Sequence, residues 1–209
     1  MAATNKGPRR EYRFHGVSML TASHPAIRRV KRSDAQPSIH GNKLWHSSFL
    51  LIDYLSKHPP EHAGSVMDAG CGWGMSGIYC ARKFGSRVTS VDADADVFPY
   101  LRANAEANGV EVTTLKSRFE KISGRQLESV DLLVAADICF WDELVNPVFN
   151  LIKRAVKAGV KKIIIADPER SPFLEVARRC EDSFCAELLE WRTRRPLSAR
   201  GTLLILENA

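Results

Sequence analysis

Strand-like and helical runs alternate through most of this chain, and that alternation restricts its fold to few possibilities. Short apolar, β-rich runs are followed by segments whose apolar residues recur at helical spacing. The predicted strands cover 65–68, 87–91, 110–115, 130–135 and 160–166, and the predicted helices cover 75–84, 96–108, 142–157 and 172–181. Crossovers of this kind are right-handed and make neighbouring strands parallel, so we expect a parallel sheet with helices on both faces.

Both ends of the chain depart from this alternation. Apolar positions from Leu44 to Leu55 recur at helical spacing, with Asn42 as the expected N-cap. Near the C-terminus, 187–193 and 202–207 are strand-like and too close together for a helix to intervene, which predicts an antiparallel hairpin. The expected fold is therefore α/β and Rossmann-like, with seven strands, mostly parallel, and a C-terminal antiparallel hairpin.

Positive charge is concentrated at the N-terminus. Residues 1–40 hold eight Lys or Arg against Glu11 and Asp34, whereas 41–209 holds 22 residues of each sign, so the net charge of +6 lies in the first 40 residues. Such an arm could contact nucleic acid, an acidic protein or a membrane face, or remain a solvated lead-in. We predict a partly ordered basic arm over 1–40, followed by one domain over 41–209.

Composition narrows the class of protein further. No apolar run reaches the roughly 20 residues that span a bilayer, so we expect a soluble chain without membrane contact. The start lacks the apolar segment of a secretory signal, and the five cysteines, none in CxxC spacing, indicate reduced thiols and no metal site. The cytoplasm is the default location, although an arginine-rich, acid-poor start leaves a mitochondrial presequence open.

A glycine-rich turn follows the first predicted strand. In Val66-Met67-Asp68-Ala69-Gly70-Cys71-Gly72-Trp73-Gly74 a buried strand ends in an acid, and three alternating glycines lead into a helix. Glycines let the backbone approach a ligand closely, and a helix N-terminus attracts polar groups. The next strand also ends in an acid, Asp92, where an open α/β sheet places a carboxylate beside ribose hydroxyls. Together they predict a nucleoside site.

Two other enzyme classes were weighed against these motifs. The loop also spells GxGxxG through Gly77, which leaves a nicotinamide-dependent oxidoreductase open. However, Asp68 at the strand end suits a cationic group better than a pyrophosphate, and the terminal hairpin does not suit a dinucleotide fold. All six histidines precede the glycine loop and no GxSxG occurs, so the triad of an α/β-hydrolase cannot form.

The chain resembles class I S-adenosylmethionine-dependent methyltransferases over about residues 42–207, through VMDAGCGWG, VTSVDAD and LRANAEANG. Within that class it is similar to the family 16 protein methyltransferases, which modify mostly lysines. Asp137-Ile138-Cys139-Phe140 resembles their DxxF/Y motif, and Leu44-Trp45-His46-Ser47-Ser48 resembles their LWPSA segment, with His46 in place of proline. Asp167-Pro168-Glu169-Arg170 is similar to the electron-transfer-flavoprotein lysine methyltransferase branch.

The resemblance implies roles for individual residues, with S-adenosylmethionine as the cofactor. The implied cofactor contacts are Trp45, Asp68, Gly70, Gly72, Gly74, Asp92 and Phe119, with Phe119 near the adenine although Ser117-Arg118 replaces the acid often found before it. Asp137 and Phe140 would face the acceptor nitrogen as the catalytic pair. We expect Asp137 to orient the amine; its alternative role is to cap the helix predicted to start near Asp142 or to satisfy a loop.

The nature of the acceptor is less constrained by the sequence. Amino-methyltransferases of nucleic acids on this fold use an (N/D)PP(Y/F) loop, and Asp137-Ile138-Cys139-Phe140 lacks both prolines. The motif therefore favours a protein lysine amine. An RNA or small-molecule N-methyltransferase remains the alternative because of the basic arm, and a non-catalytic binding protein is a further, minor one.

Overall fold

Two sheets organise the computed structural model, which describes residues 9–33, 35–38, 41 and 43–208. The smaller sheet is a hairpin of β1 (Glu11–Phe14) and β2 (Val17–Leu20). The larger sheet contains β3 (Ser65–Ala69), β4 (Arg87–Asp92), β5 (Thr113–Lys116), β6 (Leu132–Ala136), β7 (Lys162–Asp167), β8 (Ala186–Thr193) and β9 (Ala199–Glu207).

The larger sheet has the order β5-β4-β3-β6-β7-β9-β8. Its first five strands are parallel, and β9 runs antiparallel to both β7 and β8. This confirms the predicted seven-stranded, mostly parallel sheet with a C-terminal hairpin. The chain moves outward from β3 to β5 and then returns to the other side of β3, so the carboxyl ends of β3 and β6 form a switch point, where open α/β sheets bind ligands.

Helices cover both faces of this sheet. They are α1 (Pro25–Val30), α2 (Ser47–Lys57), α3 (Met75–Phe84), α4 (Phe98–Asn108), α5 (Gly124–Leu127), α6 (Val145–Lys157) and α7 (Ser171–Ser183). Apolar residues of α2 and α3 form a buried cluster on one face, and those of α5, α6 and α7 form another on the opposite face. No helix in the described parts of the chain is long and apolar enough to cross a membrane.

Several predicted boundaries were wrong by a few residues. The helix predicted from Leu44 is α2, and it begins at Ser47 because the Ser47 N–H donates a hydrogen bond of 2.9 Å to the distant Asp137 carboxylate. The expected cap, Asn42, lies outside the described residues. The third predicted strand begins at Thr113 rather than at Val110. Gly109 adopts a left-handed conformation and the Val110 N–H donates to Ala105, so Val110 belongs to the end of α4.

Part of the predicted basic arm is folded onto the domain. Met19, Leu20 and Ile27 are fully or almost fully buried. The backbone N–H groups of Ser18 and Leu20 donate to side-chain oxygens of Asn108 and Asn104 on α4, so two asparagines act as a partner for the edge of β2. Residues 1–8, 34, 39 and 40 lie outside the described residues, and a partly ordered arm stays a prediction for them.

Gly201 offers a test of how closely β9 packs beside the end of β7. A methyl group at this position would collide with the carbonyl oxygen of Asp167 and lie 3.0 Å from Leu50 Cδ1. We predict that Gly201→Ala lowers the free energy of unfolding by about 2 kcal/mol, measured by urea denaturation, because a backbone carbonyl cannot move aside. Gly124→Ala is the matched control, since a methyl group there meets no atom within 4 Å. Equal stability of both variants would contradict the packing described.

Candidate functional site

A cavity of about 390 Å³ opens at the carboxyl edge of the sheet, where the loops after β3, β4 and β6 meet. This is the switch point between β3 and β6, and the volume is in the range of small-molecule sites. The cavity is lined by seven of the nine residues predicted from the sequence, Trp45, Gly70, Gly72, Asp92, Phe119, Asp137 and Phe140, together with residues such as Val97, Ile138, Trp141 and Leu144.

The glycine loop forms the floor of this cavity. Gly70 and Gly72 both have positive φ, 69° and 50°. A methyl group on Gly70 would lie 2.6 Å from Ile138 Cγ2, whereas the corresponding position on Gly72 meets nothing within 4 Å. Glycine is thus required at 70 by a close approach of two loops, and the open side of Gly72 leaves room for a ligand against the backbone.

Gly74 has a different role from its neighbours in the loop. It adopts a left-handed conformation directly before α3, and a methyl group there would lie 2.6 Å from Leu101 Cγ on α4. Helix packing therefore explains this glycine. It does not line the cavity, so the predicted contact of Gly74 with the cofactor is still a prediction.

Asp92 stands at the end of β4 with its carboxylate at the cavity. One oxygen accepts a hydrogen bond from the Gly72 N–H and the other accepts one from the Asp94 N–H, each at 3.0 Å. A carboxylate can accept about four hydrogen bonds, so each oxygen retains capacity for a hydroxyl in the cavity. Burial raises the pKa of the Asp92 carboxyl above its usual range.

Asp68 lies deeper, in a narrow cleft of about 20 Å³ that it shares with Lys43, Trp45 and Ser48. The carboxylate is 2% exposed and accepts a hydrogen bond of 3.0 Å from the Gly77 N–H in the first turn of α3. Burial raises the pKa of this carboxyl to about 7. The cleft has room for about one water molecule. A direct contact of Asp68 with the cofactor therefore remains a prediction.

Phe119 contributes to an apolar wall with Val97, Ile138 and Leu144. It begins a short 3-10 turn, and its carbonyl accepts a hydrogen bond of 2.6 Å from Arg154 on α6. A flat apolar group would be held against this wall by packing alone, and the assignment of the wall to adenine is a prediction.

Asp137 follows β6 in a left-handed conformation, with φ of 56°, and is 4% exposed. Its N–H donates to the Ala166 carbonyl at 2.9 Å, one carboxylate oxygen accepts from the Ser47 N–H, and the other pairs with Arg170 at 2.9 Å. Of the two structural alternatives, a cap on the helix near Asp142 was wrong, because the Asp137 carboxylate caps α2; its contacts with Ser47 and Arg170 agree with the other, a side chain that satisfies neighbouring loops. Non-glycine residues in this conformation are often found at functional sites.

Arg170 connects two buried carboxylates. Its guanidinium pairs with Asp167 at 2.7 Å as well as with Asp137, and its backbone N–H also donates to Asp167 at 2.8 Å. Burial raises the pKa of the Asp167 carboxyl to about 6, although Arg170 opposes that shift. The sequence did not identify Arg170 as a site residue; the only signal was its position in Asp167-Pro168-Glu169-Arg170.

Aromatic rings and cations meet at the mouth of the cavity. The rings of Trp45 and Phe140 are 4.9 Å apart, and Trp141 beside them is 53% exposed. Lys43 Nζ lies 4.0 Å from the Trp45 ring centroid, and the Arg170 guanidinium lies 4.5 Å from that of Phe140. These rings therefore bind positively charged groups in the protein itself, as the faces of aromatic rings do.

Comparison with known proteins gives a family match for the central part of the chain. A family model described as "Methyltransferase domain" matches residues 66–159. The matched segment includes the glycine loop, Asp92 and Asp137. It therefore contains most of the residues that line the cavity.

Two curated relatives are protein methyltransferases by name. The chain is 28% identical to the electron transfer flavoprotein beta subunit lysine methyltransferase of Xenopus laevis, over 62% of this chain and 52% of that protein. It is 30% identical to the histidine protein methyltransferase 1 homolog of Dictyostelium discoideum, over 63% of this chain and 45% of that protein. The chain thus spans about half the length of the curated relatives it matches.

The fold also has solved counterparts. The 16S rRNA N2 G1207 methyltransferase of T. thermophilus, determined with AdoMet and guanosine, aligns with a TM-score of 0.61 and 21% identity over 82% of this chain and 45% of that one. At this level of identity the likeness concerns the fold alone. It supports the α/β architecture described above.

The contribution to stability of the Arg170 network, the ion pairs of Arg170 with Asp137 and Asp167, can be tested by removing the guanidinium group. We predict that Arg170→Met lowers the free energy of unfolding by about 3 kcal/mol or more near pH 8, because two buried carboxylates lose their partner. The difference in free energy of unfolding between wild type and variant should become smaller as the pH falls through the raised pKa of Asp167, since a protonated carboxyl needs no cation. Urea denaturation at about pH 8 and about pH 5 measures both effects.

The matched control for this variant is Arg178→Met on α7. Arg178 also pairs with two acids, Glu175 and Asp182, but Arg178 and Asp182 are exposed and Glu175 is only partly buried. The solvent screens such pairs, so stability should stay close to wild type at both pH values. Similar losses in both variants would show that burial of the Arg170 network is unimportant.

Proposed function

We propose that the chain, which matches a methyltransferase domain over residues 66–159, uses S-adenosylmethionine to methylate the side-chain amine of a lysine in a protein. The observation that carries this proposal is the Asp137–Arg170 ion pair beside the Trp45 and Phe140 rings, at the mouth of the cavity. The charge of the Asp137 carboxylate is balanced by Arg170, and the faces of the surrounding rings can bind cationic and methylated nitrogen. Both properties suit an amine acceptor.

The residues of the cavity fit the cofactor. S-adenosylmethionine supplies an electrophilic methyl group on a positively charged sulfur. Asp92 has the position and the free acceptor capacity to bind the two ribose hydroxyls, and the wall of Phe119, Val97 and Ile138 offers an apolar slot for adenine. The carboxylates of Asp68 and Asp92 form no ion pair within the described part of the chain, so their negative charge would attract the cationic end of the cofactor.

The acceptor amine must lose a proton before it attacks, since an unperturbed lysine has a pKa of about 10.4. An unpaired carboxylate would oppose this loss by stabilising the ammonium form. Arg170 reduces that effect because it balances the charge of Asp137, and an oxygen of Asp137 can still accept a hydrogen bond from the amine. We therefore assign Asp137 to orienting the lone pair and Phe140 to enclosing the amine, with the proton passing to water.

Transfer to RNA or to a small-molecule nitrogen is the competing proposal. A delocalised base nitrogen needs more activation, and the residues after β6 lack the two prolines of the loops that provide it. The deciding experiment is incubation of the purified chain with labelled S-adenosylmethionine and a proteome extract. We expect label that protease removes and nuclease does not, recovered as methyllysine after hydrolysis. Label sensitive to nuclease alone would overturn the proposal.

Separate variants should divide cofactor binding from methyl transfer. We predict that Asp137→Asn lowers the rate of transfer about 100-fold, since orientation of the amine is lost, while calorimetric affinity for S-adenosylmethionine stays near wild type. Asp92→Ala should weaken that affinity about tenfold or more, because charged hydrogen bonds to two hydroxyls are removed. Unfolding curves of both variants check that the fold is retained. Normal transfer by Asp137→Asn would remove Asp137 from the mechanism.

Cofactor affinity should also depend on pH. The pKa of Asp68 is raised to about 7, and that of Asp92 is raised in the same direction. A bound cation favours the ionised carboxylates, so the affinity for S-adenosylmethionine should weaken as the pH falls below 7 and binding should release protons there. Calorimetry in buffers of different ionisation enthalpy measures this release. Asp68→Asn should flatten the dependence; an unchanged profile in that variant would contradict the assignment.

A further inference from the structure

A second, larger groove of about 1090 Å³ lies between β1 and the turn that joins β8 to β9. Its cationic lining residues are Arg9, Arg13, Lys57, Arg192, Arg194 and Arg195, and its acidic ones are Glu11 and Asp53. The five arginines come from opposite ends of the chain and meet here through the fold, since Arg9 and Arg13 belong to the N-terminal segment and Arg192, Arg194 and Arg195 to the C-terminal hairpin. The positive charge predicted for the N-terminal arm alone is therefore extended by three arginines of the hairpin.

Most of this positive charge is not balanced locally. Glu11 pairs with Arg13 at 2.9 Å, and Asp53 pairs with Lys57 at 2.7 Å. By contrast, Arg192, Arg194 and Arg195 are exposed and form no ion pair with any residue that the structure describes. Guanidinium groups of this kind match carboxylate and phosphate groups with paired hydrogen bonds. The groove therefore has the charge of a site for an anionic partner.

Asp53 fixes the walls of the groove relative to one another. Its carboxylate is 7% exposed and lies 2.9 Å from His15 Nε2 in the β1–β2 turn and 2.9 Å from Trp191 Nε1 on β8. The same side chain is on α2. One buried carboxylate thus connects the N-terminal hairpin, a helix and the C-terminal hairpin, so the arginines are carried on an ordered framework.

The β8–β9 turn reaches from this groove to the candidate active site. Residues 193–196 line the groove, and Ser198, Ala199 and Arg200 border a surface pocket together with Trp45, Asp137 and Arg170. A chain that lies in the groove would therefore pass close to the mouth of the cavity. This continuity places the anionic partner next to the methyl acceptor.

We infer that the groove binds an acidic stretch of the protein that carries the acceptor lysine. The inference rests on the proposed function, since it specifies the class of substrate. A polypeptide is favoured over single-stranded RNA because the rings that line the groove, Tyr12, Phe14 and His15, are partly or almost fully buried and already contact other side chains, and His15 is held by Asp53 at 2.9 Å. Among its lining residues, Tyr12 is covered by Arg9 at 5.0 Å and packs edge-on against Phe49, and Phe14 is 9% exposed.

Binding can be tested without cofactor or methyl transfer. The probes are fluorescein-labelled oligoglutamate, oligoglutamine of the same length and oligouridylate, and the readout is fluorescence anisotropy. We predict that the chain binds oligoglutamate in preference to oligoglutamine, and that the affinity falls as salt is added. Arg192→Glu/Arg194→Glu/Arg195→Glu should weaken this binding about tenfold or more, because three exposed charges are reversed.

The matched control reverses three exposed charges on the opposite face of the sheet. Arg125→Glu/Lys153→Glu/Lys157→Glu makes the same change in net charge on α5 and α6. It should bind oligoglutamate nearly as wild type does. An equal loss of affinity for oligoglutamate in both triple variants would overturn the inferred binding site in the groove, since net charge alone would then explain binding. If oligouridylate binds more tightly than oligoglutamate and this binding is lost in the arginine variant, the partner of the groove is RNA and the inference of an acidic polypeptide is wrong.

The labelled-extract assay separates this inference from the proposed function. Oligoglutamate should inhibit methylation of extract proteins by wild type, and the arginine variant should methylate them poorly while retaining its affinity for S-adenosylmethionine. Lysine methylation that neither oligoglutamate nor the arginine substitutions affect would overturn the groove and leave the function standing. Arginine-dependent binding of oligoglutamate without any lysine methylation would count against the function and support the groove.

Discussion

The ion pairs of Arg170 hold the ends of β6 and β7 together beside the cavity. Asp137 directly follows β6, Asp167 ends β7, and both carboxylates are almost fully buried. Without a cation, two such charges would be strongly destabilising at this depth. Because Asp137 also caps α2, the same network positions the segment that carries Trp45. The relative positions of the sheet, α2 and the Trp45 ring at the mouth of the cavity therefore depend on one guanidinium group.

The backbone at Asp137 is part of the same arrangement. A left-handed aspartate is held by three contacts, the Ala166 carbonyl, the Ser47 N–H and Arg170. The conformation turns the chain sharply after β6, so that Ile138 packs against Gly70 while Phe140 reaches the Trp45 ring. A relaxed backbone at this residue would separate the floor of the cavity from its aromatic mouth.

The sequence predicted the features that depend on local pattern. Asp68 and Asp92 were recognised because an acid ended an apolar run, and the parallel order of the strands placed them at one edge. Features that depend on distant contacts were missed. The β1–β2 hairpin relies on Asn104 and Asn108, and the start of α2 is set by a carboxylate 90 residues away. The role of Arg170 likewise required the ends of β6 and β7 to be neighbours.

The two sides of the cavity differ in how their acids are balanced. Asp68 and Asp92 form no ion pair within the described residues and keep raised pKa values, whereas Asp137 and Asp167 share Arg170. Negative charge without a partner favours binding of a cationic cofactor, but the same charge beside the acceptor would keep an amine protonated and unreactive. Under the proposed function, a guanidinium beside Asp137 alone would resolve this conflict, since it would leave the attraction for the sulfonium intact while the amine could lose its proton.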